Sequence, residues 1–594
     1  MARTLVASSS RDDDGERYAQ IEAWYRRKLA EPVELPTYRY EPVRIGPTWQ
    51  TEKINGKNYW ILPDRTLGWA GLSWCGRWLQ VERNVDWQFT LEQARWWLWW
   101  YSVERDGTWT YRDAVFQRLK GHGKDPLGAC LCMNELVGLC RVGDWAGDQP
   151  VATDNPTAWV QTAAVSLEQT KNTMRLLPGM VTDEAKAKYG IAVQREQVHA
   201  VGDTRFMQAL TSSPTTLEGA RASLVLCNET HHWAENNSGH EMADVIERNA
   251  TKSPGGTART VRITNAYEDG KDSVAERDRL AYEASVAAKK GTAGAVGLLY
   301  DSLEAHPDAP LSAEAAPEII ETIRGDSTWL HIPSIVASIL DVRNPPSRSR
   351  RFWYNQIKAA EDAWMDPREW DAIGAPDELV LPDEPIVAFF DGSKSDDTTG
   401  LVGCRISDGH VFRINSWSKP AGERGNGWIV PRDEVDGAVA AMFAGYTVKA
   451  FFADRSDVRD DEGERFWEPM VDDWHRKYGR QLELWSVRSG DRQHSIGYEM
   501  GSTVRQAEFT EAAMRFVTEV RDKAFTHDAD RALRSHVMNA RRRPNKFGVS
   551  FGKEHRESLR KVDLAVCAVG ARMLRRMWLN REPGGKKPRS GKVW

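Results

Sequence analysis

The chain has 594 residues, enough for two to four domains at about 150 residues each. Its 80 Lys and Arg against 85 Asp and Glu give a formal charge of −5, which excludes a uniformly basic, histone-like binder but leaves room for segregated basic patches. With 41% hydrophobic and 28% charged residues it has the composition of a globular protein, and no apolar run approaches the roughly 18 residues of a membrane span. The opening stretch, residues 1–17, lacks an apolar segment of signal-peptide length, so export is not expected. The 7 cysteines form no CxxC pair and have no histidine at zinc-finger spacing; they read as reduced, buried thiols of a cytoplasmic protein.

In chain order, residues 1–85 read as a lead-in region, Pro-rich over 32–47. Residues 86–340 read as one domain, in which apolar strand-like runs alternate with helical patterns from about 86 to 300; this predicts a parallel α/β sheet with strands near 114–119, 158–165, 223–227 and 260–264. Tryptophan is the compositional outlier at 26. The run ArgTrpTrpLeuTrpTrpTyr (95–101) reads as a helix packed on several sides, with a base-stacking platform as the alternative. Residues 301–318, rich in Pro, Ala and acid, read as a surface loop, and 341–384 as a linker. Residues 385–579 alternate again: a strand at 386–390, a hairpin over 398–417 turning at 407–410, a helix at 432–444, strands at 448–453 and 482–487, then helices. Residues 580–594 form a basic tail.

One constellation points to nucleotide chemistry. LysGlyHisGlyLysAsp (120–125) follows a strand and opens a helix, where a glycine-rich turn lets backbone N–H groups wrap phosphates. Lys120, Gly121, His122, Gly123 and Lys124 form this loop, with Lys124 reaching the β- and γ-phosphates. Two departures from GxxxxGK[ST] stand out: Arg118 replaces the first glycine and Asp125 the hydroxyl residue. The strand 223–227 runs into Asn228 and Glu229, where P-loop motors carry an acidic pair for magnesium and the attacking water. Glu229 is the candidate general base, and Asn228 stands where Asp is usual. Hydroxyl has thus become carboxylate at 125 and carboxylate has become amide at 228. The site keeps its charge if Asp125 ligates Mg²⁺ while Asn228 takes the neutral outer role. Thr264 and Asn265, ending a strand, suit γ-phosphate sensing and coupling to movement. Gln93 suits reading an adenine edge, or is a solvated helix residue.

A second constellation points to phosphodiester cleavage. Asp391 ends the strand 386–390, with Asp397 shortly after, Asp454 ends the strand 448–453, and Asp563 opens a late helix. Carboxylates at adjacent strand ends with a third on a helix suit a two-metal nuclease, in which ions about 4 Å apart serve water and leaving oxygen. The order strand, hairpin, helix, strand and late helical acid suggests a ribonuclease-H-like sheet. Arg541, Arg542 and Arg543 would contact DNA phosphates, together with the basic run 348–351 and the tail.

From about Leu91 to Leu574 the chain resembles the large terminases of tailed bacteriophages. The matching strings are the 120–125 loop, similar to that family's ArgGlyAsnGlyLysSer, and residues 159–170, 217–233, 351–356 and 527–540, together with Asp391, Asp397, Asp454 and Asp563. The resemblance implies an α/β chain: an ASCE-type P-loop ATPase domain over 86–340 and a ribonuclease-H-like nuclease domain over 385–579. It implies ATP with Mg²⁺ (or Mn²⁺ in the nuclease), double-stranded DNA as substrate, a small terminase subunit, and a homo-oligomeric ring, commonly of five, on the portal of a procapsid. Such a motor works in the host cytoplasm, away from membranes and absent from the mature virion. An arginine from a neighbour would complete each ATP site, with Arg221 the candidate. Two other readings compete: an integrase-like nuclease with an inert P-loop half, and a non-enzymatic DNA-binding assembly protein.

Overall fold

The computed structural model describes residues 14–210, 219–289, 297–358, 362–420, 425, 427–454, 465–486, 495–553, 558 and 560–581. The chain divides into two compact units, Met1–Lys358 and Ala359–Trp594. Labels below number the strands of the two main sheets and of one hairpin, and the helices that bear on the sites.

The first unit is built on nine strands: β1 (Val43–Ile45), β2 (Tyr111–Gln117), β3 (Trp159–Ala163), β4 (Ala192–Val193), β5 (Gln197–Ala200), β6 (Arg205–Leu210), β7 (Leu224–Asn228), β8 (Arg259–Thr264) and β9 (Gly297–Glu304). Their spatial order is β1-β9-β2-β8-β7-β3-β6-β5-β4. From β9 to β6 every pairing is parallel; β1 on one edge and β5 and β4 on the other run antiparallel. All five residues of β7 are buried, as a strand covered on both faces requires. β8 separates β2 from β7, the inserted-strand order of ASCE ATPases.

Helices α1 (Asp14–Leu29), α2 (Gly68–Trp78), α3 (Leu91–Trp100), α4 (Lys124–Val137) and α5 (Leu167–Met180) contribute to this unit. α3 begins on a capping box between Thr90 and Gln93, and Trp96, Trp97 and Trp100 are buried in the core with Phe116 and Leu131. The tryptophan run is therefore packed helix and not an exposed platform. All 7 cysteines are buried and none forms a disulfide.

Three sequence expectations are corrected here. The lead-in is no separate region, because α1 packs its Ile21, Tyr25 and Leu29 into the main core and β1 pairs with β9. Residues 301–304 belong to β9 with Asp301 and Ser302 fully buried, so the supposed surface loop starts inside a strand; its acid and hydroxyl serve Arg118 and Asn355. The supposed linker is shared by the two units. Asn355 accepts from the Ala266 amide and donates to the Leu303 carbonyl in the first unit, whereas Trp364, Trp370 and Ile373 enter a core of the second.

The second unit carries a four-stranded sheet of β10 (Pro385–Asp391), β11 (Thr399–Arg405), β12 (Val411–Trp417) and β13 (Thr447–Ala453), in the order β12-β11-β10-β13. β11 runs antiparallel to both neighbours, and β13 is parallel to β10. This is the ribonuclease-H-like order. Period two sorts the side chains of β10: Ile386, Ala388 and Phe390 face one core, Val387 and Phe389 the other. Helices α6 (Thr503–Arg521), α7 (Arg531–Asn539) and α8 (Asp563–Leu579), with the hairpin β14 (Arg541–Asn545)–β15 (Gly548–Gly552), complete the unit. The predicted strand at 482–487 is reduced to a single bridge from Leu484 to Ala450; its last residue, and the tail beyond Arg581, lie outside the described residues. Among the described residues no helix is long and apolar enough to cross a membrane.

Candidate active sites

β2 delivers the 120–125 loop to the N-terminus of α4. Gly121 and Gly123 adopt φ of 84° and 97°, the left-handed region where a Cβ is strained, and Gly123 is the N-cap of α4. The loop is braced from below. Arg118 is fully buried; its Nε donates to Glu92 at 2.8 Å, and its guanidinium also reaches the Asp301 carboxylate and carbonyl. The residue replacing the first loop glycine is thus an internal tie between α3, β2 and β9. The His122 imidazole is likewise buried, 3.2 Å from Glu92, and burial pulls its pKa down; only the His122 backbone belongs to the loop surface.

Lys124 Nζ donates to the carbonyls of Arg118 and Leu119 at 3.2 and 3.1 Å, and burial draws its pKa down to about 8. Asp125 and Glu229 are both raised, chiefly by burial, and each feels the Lys124 charge, so these three groups share one site. Lys120 is exposed, with its amide on the Phe352 carbonyl. Glu229 has φ of 55°, a strained setting for a glutamate, held by its amide on the Ile263 carbonyl at 2.8 Å. Asn228 is buried; its Nδ2 donates to Thr173 Oγ1 of α5 at 3.0 Å, and its Oδ1 has no partner among the described residues.

At the end of β8, Asn265 Nδ2 donates to the Arg118 carbonyl at 2.8 Å, the same oxygen that receives Lys124. Thr264 Oγ1 lies 3.1 Å from His231 Nδ1, and His231 Nε2 lies 3.4 Å from Glu229 Oε2. Ligand atoms of Glu229, His231 and His232 fall within 4.8 Å of one another. Sequence reading stopped at Glu229 and missed the two histidines, although ThrHisHis follows it directly. Gln93 is buried in its capping box and is not a solvated helix residue: its Oε1 accepts from the Thr90 amide at 3.2 Å. Arg221 is exposed.

In the second unit Asp391 ends β10, and the Asp454 amide donates to the Phe390 carbonyl at 2.9 Å, which places the two acids at adjacent strand ends. Asp563 opens α8. Its Oδ2 accepts from the Thr398 amide at 3.1 Å, and His536 Nδ1 accepts from the Leu564 amide at 3.1 Å, pinning the first turn of the helix. Burial, then the charges of Asp563, Asp454 and Asp397, push Asp391 well above the usual carboxylate range. Asp563 is pushed to about 6, by burial first and Asp397 second.

Asp397 departs from expectation. Burial opposes its charge, but hydrogen bonds from Lys553 and Lys561 outweigh this and lower its pKa, so it is an ion-paired acid here. The two lysines escaped sequence reading, which had looked to 541–546 for positive charge. Arg541 is also corrected: at 3% exposure it is a core residue donating to the Met538 carbonyl, whereas Arg542 is exposed and Arg543 half-buried on the hairpin. The run 348–351 serves the first unit, where Arg350 donates to the Ala309 carbonyl and Arg351 pairs with Glu268 at 3.0 Å.

No family model matches the chain. The Gene 13 protein of Mycobacterium phage L5 is 36% identical over 609 aligned positions, covering 93% of this chain and 97% of that protein. The Gene 13 protein of Mycobacterium phage D29 is 37% identical over 612 positions, with the same coverage. Among solved structures, the HK97 bacteriophage large terminase covers 86% of this chain and 100% of that chain, at 14% identity and a TM-score of 0.45. The large terminase nuclease from thermophilic phage G20c with bound magnesium covers 36% of this chain and 97% of that chain, at 12% identity and a TM-score of 0.25. At these scores neither structural likeness adds weight to the strand orders and side-chain geometry above.

Proposed function

The chain belongs to the family of the Gene 13 proteins of mycobacteriophages L5 and D29, and we propose that it acts as a large terminase subunit, an ATP-driven DNA-packaging motor joined to a metal-dependent DNA nuclease. The observation that carries this reading is the presence of two charge-coupled sites on two different sheets: Lys124, Asp125 and Glu229 on an inserted-strand ATPase sheet, and Asp391, Asp454 and Asp563 on a ribonuclease-H-like one.

In the ATPase unit, loop amides and the α4 N-terminus cradle the phosphates of ATP. Lys124 leaves its carbonyl acceptors for the β- and γ-phosphates, whose charge supports the protonated form that burial disfavours. Glu229 takes the proton of the attacking water, and its raised pKa makes it a stronger base. Thr264 reaches Glu229 through His231, a route from the sensor strand to the base; Asn265 reports on the loop through the Arg118 carbonyl. Arg221, exposed before β7, is the candidate to complete a neighbour's site in a homo-oligomeric ring. Asp125 is the proposed magnesium ligand, and the unpartnered Oδ1 of Asn228 fits a neutral outer role.

In the nuclease unit, Asp391, Asp454 and Asp563 would hold the divalent ions, and their mutual repulsion is what such ions relieve. Bound there, the metals supply an activated water and charge compensation for the leaving oxygen. Asp397 with Lys553 and Lys561 flanks them, and Arg542 and Arg543 offer phosphate contacts to double-stranded DNA. Portal, procapsid and small terminase subunit are the partners this role requires, in the host cytoplasm.

The reading is tested by mutating one site at a time. Lys124→Ala should abolish DNA-stimulated ATP hydrolysis while sparing Mg²⁺- or Mn²⁺-dependent plasmid cleavage, and Asp391→Ala the reverse. Cleavage surviving in Asp391→Ala would remove that residue from the metal site. For the exchanged pair, Asp125→Ser and Asn228→Asp should each lower the ATPase rate, and the double change should recover activity relative to the worse single variant.

A further inference from the structure

Beyond β7 the chain makes a single tight turn, Thr230–His232, closed by the His232 amide on the Glu229 carbonyl at 2.9 Å. The turn gathers the Glu229 carboxylate and the imidazoles of His231 and His232, with the two ring centroids 4.0 Å apart. The His231 side chain is fully buried, yet its Nε2 has no hydrogen-bond partner among the described residues. A buried polar atom in that position calls for an explanation.

The other ring nitrogen supplies one. Thr264 Oγ1 donates to the Asn265 carbonyl at 2.9 Å, so towards His231 Nδ1, 3.1 Å away, it acts as acceptor. Nδ1 therefore carries the proton, and burial keeps the ring neutral. Nε2 is left with a lone pair aimed at the Glu229 carboxylate 3.4 Å away, and the two repel. A proton shared between them would draw them within about 3.2 Å. A metal ion between them would turn the repulsion into two bonds, with Thr264 holding the imidazole from behind.

The spacing selects the ion. Ligand atoms about 2.0–2.1 Å from a tetrahedral ion stand about 3.3–3.4 Å apart, whereas around an octahedral magnesium they stand about 2.9 Å apart. The donor set agrees, since two imidazoles with a carboxylate suit zinc and magnesium prefers oxygen. His232 is exposed and gives an ion its way in from solvent. Lys124, Lys120 and Arg351 place positive charge around His231, so the ion is held less tightly than at a structural zinc site and can leave.

We propose that Glu229, His231 and His232 form a reversible zinc site that shuts off ATP hydrolysis. The shut-off rests on the reading of Glu229 as general base given above: zinc occupies the carboxylate lone pairs that would otherwise accept the proton of the attacking water.

The test uses the full chain in excess Mg²⁺, with Zn²⁺ alone as the added ligand. Calorimetry should find a zinc site in the wild type that weakens at least about tenfold in His232→Gln, a solvent-facing change that leaves basal ATP hydrolysis in place. Hydrolysis by the wild type should fall as this site fills and recover when a zinc chelator is added; His232→Gln should need correspondingly more zinc. Co²⁺ in place of zinc should give the intense visible bands of a tetrahedral, nitrogen-bound ion, and His232→Gln should lose them. Equal zinc affinity in the two chains would overturn the proposal, as would zinc bound through His232 with hydrolysis undiminished. A wild type that binds zinc through His232 but never hydrolyses ATP would uphold the metal site and overturn the ATP reading instead.

Discussion

Asp391 sits where no isolated carboxylate would choose to be charged, half-buried and facing three other acids. A group raised in the folded state binds protons more tightly there than when unfolded. Its charge therefore costs stability progressively as pH rises above the ordinary carboxylate value and through the folded one. Asp391→Asn removes that cost. In metal-free buffer the variant should melt higher than the wild type, by about 1 kcal/mol at neutral pH. The difference should shrink below pH 5 and grow through pH 6, where Asp563 titrates. Adding Mg²⁺ should narrow the gap, because it stabilises only the wild-type acid cluster. A calorimetric melt across pH, with and without the ion, checks both signs. The residues of this site were legible because strand-end acids at ordered spacing leave a pattern along the chain. Lys553 and Lys561 were not, since pairing with Asp397 depends on a hairpin and a helix start that only tertiary contact brings to it.

Among the elements, α8 matters most to the second unit because it carries Asp563 and lies on β10. A Cβ on Gly570 would meet the Phe389 ring at 2.4 Å, and Phe389 is fully buried with nowhere to go. Gly570→Ala should destabilise this unit by about 1–3 kcal/mol through overpacking. Far-UV dichroism during denaturant unfolding measures it, and cleavage should fall in parallel as Asp563 loses its setting. Apolar strands were readable where both faces are covered, as in β7, and where period two is clean, as in β10. β1 was not readable: three residues in a Pro-rich stretch become a strand only because the β9 edge is there to pair with. The 301–318 stretch misled for the converse reason. Its acid and hydroxyl look solvated in sequence, yet they are the buried partners of Arg118 and Asn355.

At the scale of the whole molecule, each unit owns its cores. Trp96, Leu131 and Phe116 belong to the first, and Phe389, Phe516 and Ala568 to the second. Residues 359–594 expressed alone should unfold cooperatively and keep metal-dependent cleavage without any ATPase; a gradual melt would show that the second unit needs the first. Within the first unit, the bond between Thr48 and Asp301 spans 253 positions. That span sets a timetable. In a chain made from its N-terminus, the phosphate-loop strand can be flanked by β9, and Thr48 can bond Asp301, only after residue 304 has been synthesised.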